Sequence, residues 1–329
     1  MTREFLPFTS DHIAAAARLL AGRHAIQRKD EPRLSTAYES TTATAPMIED
    51  ILPRSSGVVA IEDGNVVGFL LGTAADEAGG RARIITMEGH AAATLDATEL
   101  YREMYAAVAA DWNDGGFFTH RIHLSALDRD AMEAFYSLGF GQTLAIGLRD
   151  MSPIPDASVA VRIERATPDD IADVQRLMMS MGRYNSTSPL FRPYMAPIEA
   201  EWSRKQTVLD QLADENFAFW FAYEGDEAVA IMIFRPPEQT ELMANPDDAI
   251  YLWFAIVQPG TRTGGIGKAM VDNGLRWARE RGMKHCTVSW FTANVIGARF
   301  WRERGYEPVL YRLERRIDER IAWARAADL

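Results

Sequence analysis

Apolar residues recur along the chain in two rhythms, and each rhythm occurs twice. Thr9 and Asp11 stand just before an apolar-periodic stretch, Ile13 to Leu20, and Thr167 and Asp169 stand before a second, Ile171 to Met181. Both read as helices with capped N-termini. Two β-rich runs around an acidic Gly turn, 58–71 and 219–232, each predict a hairpin. Phe135 to Phe140 and Phe300 to Tyr306 each read as a helix stopped by Gly139 or Gly305 and followed by an apolar strand. The chain is therefore a repeat, each copy running strand, helical region, hairpin, strand, helix, strand, helix, strand. Pro153 and Pro155 interrupt it before a strand expected at Val159 to Ile163, which divides it into 1–154 and 155–329. The fold class expected is α/β, with a mixed sheet flanked by helices in each half.

Composition narrows the function. With 35 Lys and Arg against 46 Asp and Glu, the net charge of −11 opposes a nucleic-acid backbone or an anionic membrane. A single cysteine, Cys286, excludes an intrachain disulfide and fits a reducing compartment. Neither a leader nor a membrane-length apolar run is evident, so the expectation is a cytoplasmic protein with no nucleic-acid or membrane partner. His120 and His123 fall on opposite faces of a strand, which argues against a metal site.

The chemistry concentrates at 249–271, where an apolar strand enters a Gly-rich turn and a helix follows. Such a junction presents backbone N–H groups and the positive end of a helix dipole, which suits a pyrophosphate. A Walker loop is excluded because Arg262 occupies its first Gly position and Ala269 follows Lys268. A dinucleotide fingerprint starting at Gly265 lacks its third Gly, since Met270 stands there.

The spacing Val257, Pro259, Arg262, Gly265, Gly267 resembles the acetyl-CoA pyrophosphate loop of the GNAT superfamily. Asn294 followed by Phe300, Trp301, Gly305 and Tyr306 is similar to that superfamily's second motif. The resemblance implies two tandem GNAT-like domains and acetyl-CoA, or another acyl-CoA, as co-substrate. It further implies that Ile256 and Val257 meet the acyl-pantetheine arm with backbone groups. Arg262, Thr263, Gly264, Gly265, Ile266, Gly267 and Lys268 would hold the pyrophosphate, and Asn294, Phe300 and Trp301 would contact the cofactor. Asn294 read by itself is equally a helix N-cap.

Departures from the family concern catalysis. Trp301 occupies the position of the tyrosine that protonates the leaving thiolate in many members, and an indole N–H is no acid near neutrality. Tyr251 stands where histone-type members carry a basic Glu, and it can relay a proton but is a weak base. On a regular strand Tyr251, Trp253 and Ala255 would share a face and form an aromatic wall, which is equally how core packing looks. Ser289, on a strand expected at Lys284 to Trp290, is a second candidate for positioning a water or thiolate. Tyr184 and Phe191, in the segment 182–194 where the family's acceptor region falls, join Trp253 as substrate-binding candidates.

The first copy has no Gly-x-Gly after its strand 82–87 and carries Phe135 at the tyrosine position, so it reads as a degenerate repeat without a CoA loop. The leading expectation is an acyltransferase moving an acetyl group to a small-molecule amine. A non-catalytic acyl-CoA sensor and a protein N-acetyltransferase are the alternatives.

Overall fold

A computed structural model describes residues 3–77, 80–154, 161–192, 205–237 and 239–326. In chain order the first half holds β1 (Glu4–Pro7), α1 (Ile13–Asp30), α2 (Thr41–Ile51), β2 (Ser55–Glu62), β3 (Asn65–Glu77), β4 (Gly80–Ile85) and β5 (His90–Ala92). It continues through α3 (Ala97–Asp114), β6 (Thr119–Ser125), α4 (Arg129–Ser137) and β7 (Gly141–Asp150). The second half holds β8 (Arg162–Arg165), α5 (Ile171–Asn185), α6 (Lys205–Ala213), β9 (Ala218–Glu224), β10 (Glu227–Arg235) and β11 (Ala249–Val257). Then come α7 (Ile266–Glu280), β12 (His285–Phe291), α8 (Val295–Glu303), β13 (Glu307–Arg316) and α9 (Arg320–Ala326). The strand expected at 159–163 is found as β8; residues 159 and 160, and the residue following the expected boundary at 154, lie outside the described residues. Among the described residues no helix is long and apolar enough to cross a membrane.

Both helix starts follow from their caps. The Thr167 N–H and hydroxyl reach Asp170 Oδ2 at 2.7 and 2.8 Å, and the Thr9 N–H reaches His12 Nδ1 at 3.0 Å. Each closes a capping box one turn before α5 or α1. The two hairpins are present as well, β2 with β3 and β9 with β10, the first turning at Asp63 and Gly64, whose φ values of 49° and 76° suit a tight reversal.

The chain packs as two compact units that interleave the sequence halves. One comprises Met1–Ala145, Gln239–Pro246 and Pro308–Leu329; the other comprises Ile146–Glu238 and Asp247–Glu307. In unit 1 the sheet order is β1, β2, β3, β4, β6, β13, so the last strand of the second repeat sits against the first repeat's β6. Leu310 pairs with Ser125 and Glu314 with Arg121, an ion pair at 2.8 Å with both side chains buried. In unit 2 the sheet runs β12, β11, β10, β9, β8.

Unit 2 shows why its sequence is so uniformly apolar in β10. Both faces of that strand are covered, so alternation gives way to the continuous run Ala228 to Phe234, all buried. On one face α5 contributes Val174, Leu177 and Met178 to a cluster with Ile231, Ile233, Phe254 and Ile256. On the other face α7 comes so close that a Cβ at Gly274 would fall 2.2 Å from the Phe234 ring, so only glycine fits. Each such fully buried aliphatic or aromatic side chain contributes about 1.5–3 kcal/mol.

Unit 1 carries buried imidazoles. His24, His90 and His120 are fully enclosed, and desolvation lowers the pKa of each, for His120 to about 4. Their native pKa values lie below that of an unfolded histidine, about 6.5, so the unfolded chain binds protons that the native chain refuses. Stability is complete above pH ~6.5 and is lost as the pH falls toward 4, by up to about 1.4 kcal/mol per pH unit for each imidazole. Urea midpoints are expected to be level between pH 7 and 8 and to drop steeply between pH 6.5 and 4.5. A level profile down to pH 5 would show that these rings are not held neutral.

Candidate active site

The candidate site in unit 2 begins with an irregularity. β10 and β11 pair with Ile233 opposite Phe254 and Phe234 opposite Leu252, so Trp253 is one extra residue on β11. Such a bulge bends the strand and resets which side chains share a face. The bulge interrupts the regular alternation that would set Tyr251, Trp253 and Ala255 on one face. Tyr251 and Trp253 nevertheless both meet one group, the guanidinium of Arg235, whose Cζ lies 5.5 and 4.8 Å from their ring centroids.

The same region parts the parallel strands. The ladder of β11 with β12 runs from Ala249 opposite His285 to Leu252 opposite Val288 and ends there. Both strands continue, β11 to Val257 and β12 to Phe291. At this parting the Tyr251 hydroxyl and Ser289 Oγ lie 2.7 Å apart, a hydrogen bond in which either atom can donate. The two catalytic candidates are thus in contact.

Past Val257 the chain makes a short turn, Pro259–Gly264, and enters α7 through Gly265, whose φ of 74° is the left-handed conformation that glycine adopts without penalty. The first intrahelical bond is Ala269 N–H to Gly265 O at 3.0 Å. The N–H groups at the start of a helix have no intrahelical acceptor, and among the described residues no side chain caps Gly265. A Cβ at Gly267 would meet Phe300 and Val257 at ordinary contact distances, 3.5 and 3.6 Å, so the loop, β11 and α8 converge there. The side chains of Arg262 and Thr263 lie outside the described residues; those of Ile266 and Lys268 are buried and half-buried.

Asn294 is the N-cap of α8, its Oδ1 accepting the Gly297 N–H at 3.0 Å and the Tyr184 hydroxyl at 3.2 Å. This joins the end of α5 to the start of α8 and leaves the Asn294 amide NH2 as the donor for any ligand. Trp301 is 7% exposed and packs edge-on against Phe300 and Tyr306, with centroids 4.9 and 5.6 Å away. It serves the aromatic packing under α8, while the half-buried Phe300 faces the loop. Phe191 is 72% exposed with φ 45°, an uncommon backbone state for an aromatic residue. Residues 193 and 194 of that segment lie outside the described residues.

Two other reactive side chains are placed out of contention. Cys286 is fully buried, accepts the Tyr306 hydroxyl at 3.2 Å, and has its thiol pushed up to about 12 by burial. His285, the one histidine in the sequence of unit 2, sits at the opposite end of β12, 2.6 Å from Asp248. Sequence reasoning missed Arg235 and also Arg192, whose Cζ lies 5.3 Å from the Phe291 ring. The only available signal was the charge ending the apolar run of β10, and its partner depended on a bulge that hydropathy does not reveal.

The matching region of unit 1 is filled by its own side chains. The β4–β6 ladder ends at Ile85 opposite Ile122. Immediately beyond, His90 Nε2 donates to the His123 carbonyl at 3.1 Å and its Nδ1 accepts the Tyr101 hydroxyl at 3.2 Å, the tautomer these partners require. Arg23 donates to the carbonyls of His90 and Met87 at 2.6 Å each. His120 is engaged by the Tyr105 hydroxyl and the Phe117 carbonyl at 2.7 and 3.0 Å.

A mixed sheet whose parallel strands part beside a bulge, followed by a glycine-started helix, defines an α/β protein with the GNAT fold. Residues 184–306 match the model of the acetyltransferase (GNAT) family. No curated protein matches the chain. Among solved structures it is similar to the GCN5-related N-acetyltransferase of Sphaerobacter thermophilus, with 13% identity, TM-score 0.60 and 95% of each chain covered. It is also similar to a tandem GNAT protein from the clavulanic acid biosynthesis pathway, with 10% identity, TM-score 0.54, and 96% of this chain and 98% of that one covered. A fungal glucosamine N-acetyltransferase region matches over 95% of this chain and 38% of its own, at 14% identity and TM-score 0.57. The layout resembles that of tandem GNAT proteins.

Because Asn294 caps α8 and anchors Tyr184, Asn294→Ala is expected to lower stability by about 1 kcal/mol, with Asn294→Ser recovering most of it. Denaturant midpoints of the two variants check this; equal midpoints would show that the cap contributes nothing.

Proposed function

We propose that the C-terminal repeat, 155–329, is an acetyl-CoA-dependent N-acetyltransferase acting on the amine of a small molecule, and that repeat 1–154 is a GNAT-like domain that takes no CoA. The observation that carries this reading is the continuity of three features inside the family-matched stretch: the parting of β11 from β12, the left-handed Gly265, and the uncapped start of α7. An extended arm with a pyrophosphate at one end fits that path, since the parted strands offer backbone groups and the helix start offers N–H donors and a positive dipole.

In this reading the backbone of Ile256 and Val257 holds the acyl-pantetheine arm. The backbone from Arg262 to Lys268 holds the pyrophosphate, with the Lys268 ammonium adding charge. The Asn294 NH2 donates to the pantetheine, and Phe300, propped by Trp301, closes the side. When bound, acetyl-CoA supplies an activated acyl group: the amine nitrogen forms a bond to the carbonyl carbon, the carbon–sulfur bond breaks, and CoA leaves as the thiol. The protein's part is orientation and proton handling. Tyr251 and Ser289 form a pair in which one hydroxyl can accept a proton as the other gives one up, so the amine proton has a path away from the reacting nitrogen. The aromatic surfaces of Tyr251 and Trp253 exclude water and suit a small acceptor, with Tyr184 and Phe191 on the approach from α5.

Calorimetric titration with acetyl-CoA, followed by thiol release against a panel of amines, tests the assignment. One site per chain and amine-dependent release are expected. Binding without release from any amine would mean an acyl-CoA sensor, and two sites per chain would overturn the reading of the first repeat. Gly267→Asp separates ligand from fold: an acidic residue near a helix N-terminus favours the helix, and its Cβ has room. It should therefore keep the melting temperature yet weaken acetyl-CoA binding by ~10-fold or more, about 1.4 kcal/mol.

Tyr251→Phe addresses the proton path. A lowered kcat with unchanged acetyl-CoA affinity is expected, and turnover equal to wild type at every pH would remove Tyr251 from the mechanism.

A further inference from the structure

Two guanidinium groups at the parted strands are not used by the cofactor path proposed above. Arg235 ends β10 directly across the ladder from Tyr251, so the pleat sends both side chains to one face. Its Cζ stands 4.8 Å from the Trp253 ring centroid and 5.5 Å from that of Tyr251. Arg192, just after α5, places its Cζ 5.3 Å from the Phe291 ring. Phe291 lies two positions beyond Ser289 on β12, and strand alternation puts it on the face that presents Ser289 Oγ to Tyr251. A cation thus stands on an aromatic ring to either side of the hydroxyl pair.

Aromatic faces hold a guanidinium in a fixed plane and shield it from water, which strengthens its attraction for an anion. Its planar fork matches a carboxylate in geometry, two parallel N–H donors to two oxygens. Five N–H donors let one guanidinium keep an intramolecular partner and grip a ligand together.

We infer that the acceptor is an amino-carboxylate, an amino acid or a molecule built like one, rather than a polycationic amine. Arg235 grips the carboxylate, Arg192 supplies the second positive charge, and the amine is left beside Tyr251 and Ser289. This rests on the acyl-transfer reading above and specifies its acceptor.

The test uses the full chain with acetyl-CoA and matched triples: an amino acid, its methyl ester and the corresponding decarboxylated amine, followed by thiol release. The amino acid of the preferred triple is expected to exceed both relatives by at least ~10-fold in kcat/KM. Arg235→Met should collapse that ratio toward one, chiefly through a raised KM for the amino acid. Arg235→Lys should restore only part, since it returns the charge without the fork, and Arg192→Gln, a change in a loop, should lower the ratio without threatening the fold. Equal kcat/KM across every triple, or a preference that survives both substitutions, would overturn the inference and leave acyl transfer standing. Failure of the wild-type protein to bind acetyl-CoA in calorimetry would overturn the acyl-transfer reading and this one with it.

Discussion

The extra residue at Trp253 is the constraint from which the rest of the site follows. A bulge increases local twist and turns the strand, and here it falls immediately after Leu252, the last residue of β11 still paired with β12. Strands that would otherwise remain hydrogen-bonded separate, and the backbone of 253–257 is presented where a ligand can lie. The same residue brings two aromatic rings onto one guanidinium. The proposed ligand path and the proposed acceptor surface therefore share one geometric origin.

The two repeats use that geometry in opposite ways. Unit 2 leads from the end of its ladder into a glycine turn and a helix start; unit 1 closes the corresponding place with His90 and Arg23, which bond the carbonyls of His123, His90 and Met87. Burying an arginine and an imidazole is costly unless both are well paired, and here they are paired largely with backbone carbonyls. In unit 1 that place is occupied by the protein's own hydrogen-bonded side chains.

Much of this was legible in the sequence. The duplicated caps at Thr9 and Thr167, the hairpins and the glycine turn are local features whose chemistry is written in adjacent residues, and each appears at or within a few residues of its expected place. Asn294 is the N-cap that its residue type suggested. What could not be read depends on register: a bulge changes no hydropathy, so the alternation assumed through Trp253 failed there. Arg235 was overlooked for the same reason, since its partners Tyr251 and Trp253 lie on another strand and only the pairing pattern brings them together. The interleaving of the units was also beyond reach, because the local pattern of a strand such as β13 carries no mark of which sheet it will join.

That interleaving reaches into how the protein is made. Unit 1 places β13 beside β6, with Arg121 and Glu314 neutralising each other in its interior, although nearly two hundred residues separate them along the chain. A nascent polypeptide emerging from the ribosome would have β1 to β6 made long before their final neighbour exists, leaving an open strand edge and an Arg121 that still awaits Glu314. The sheet of unit 1 thus begins with an early strand and is completed by a late one.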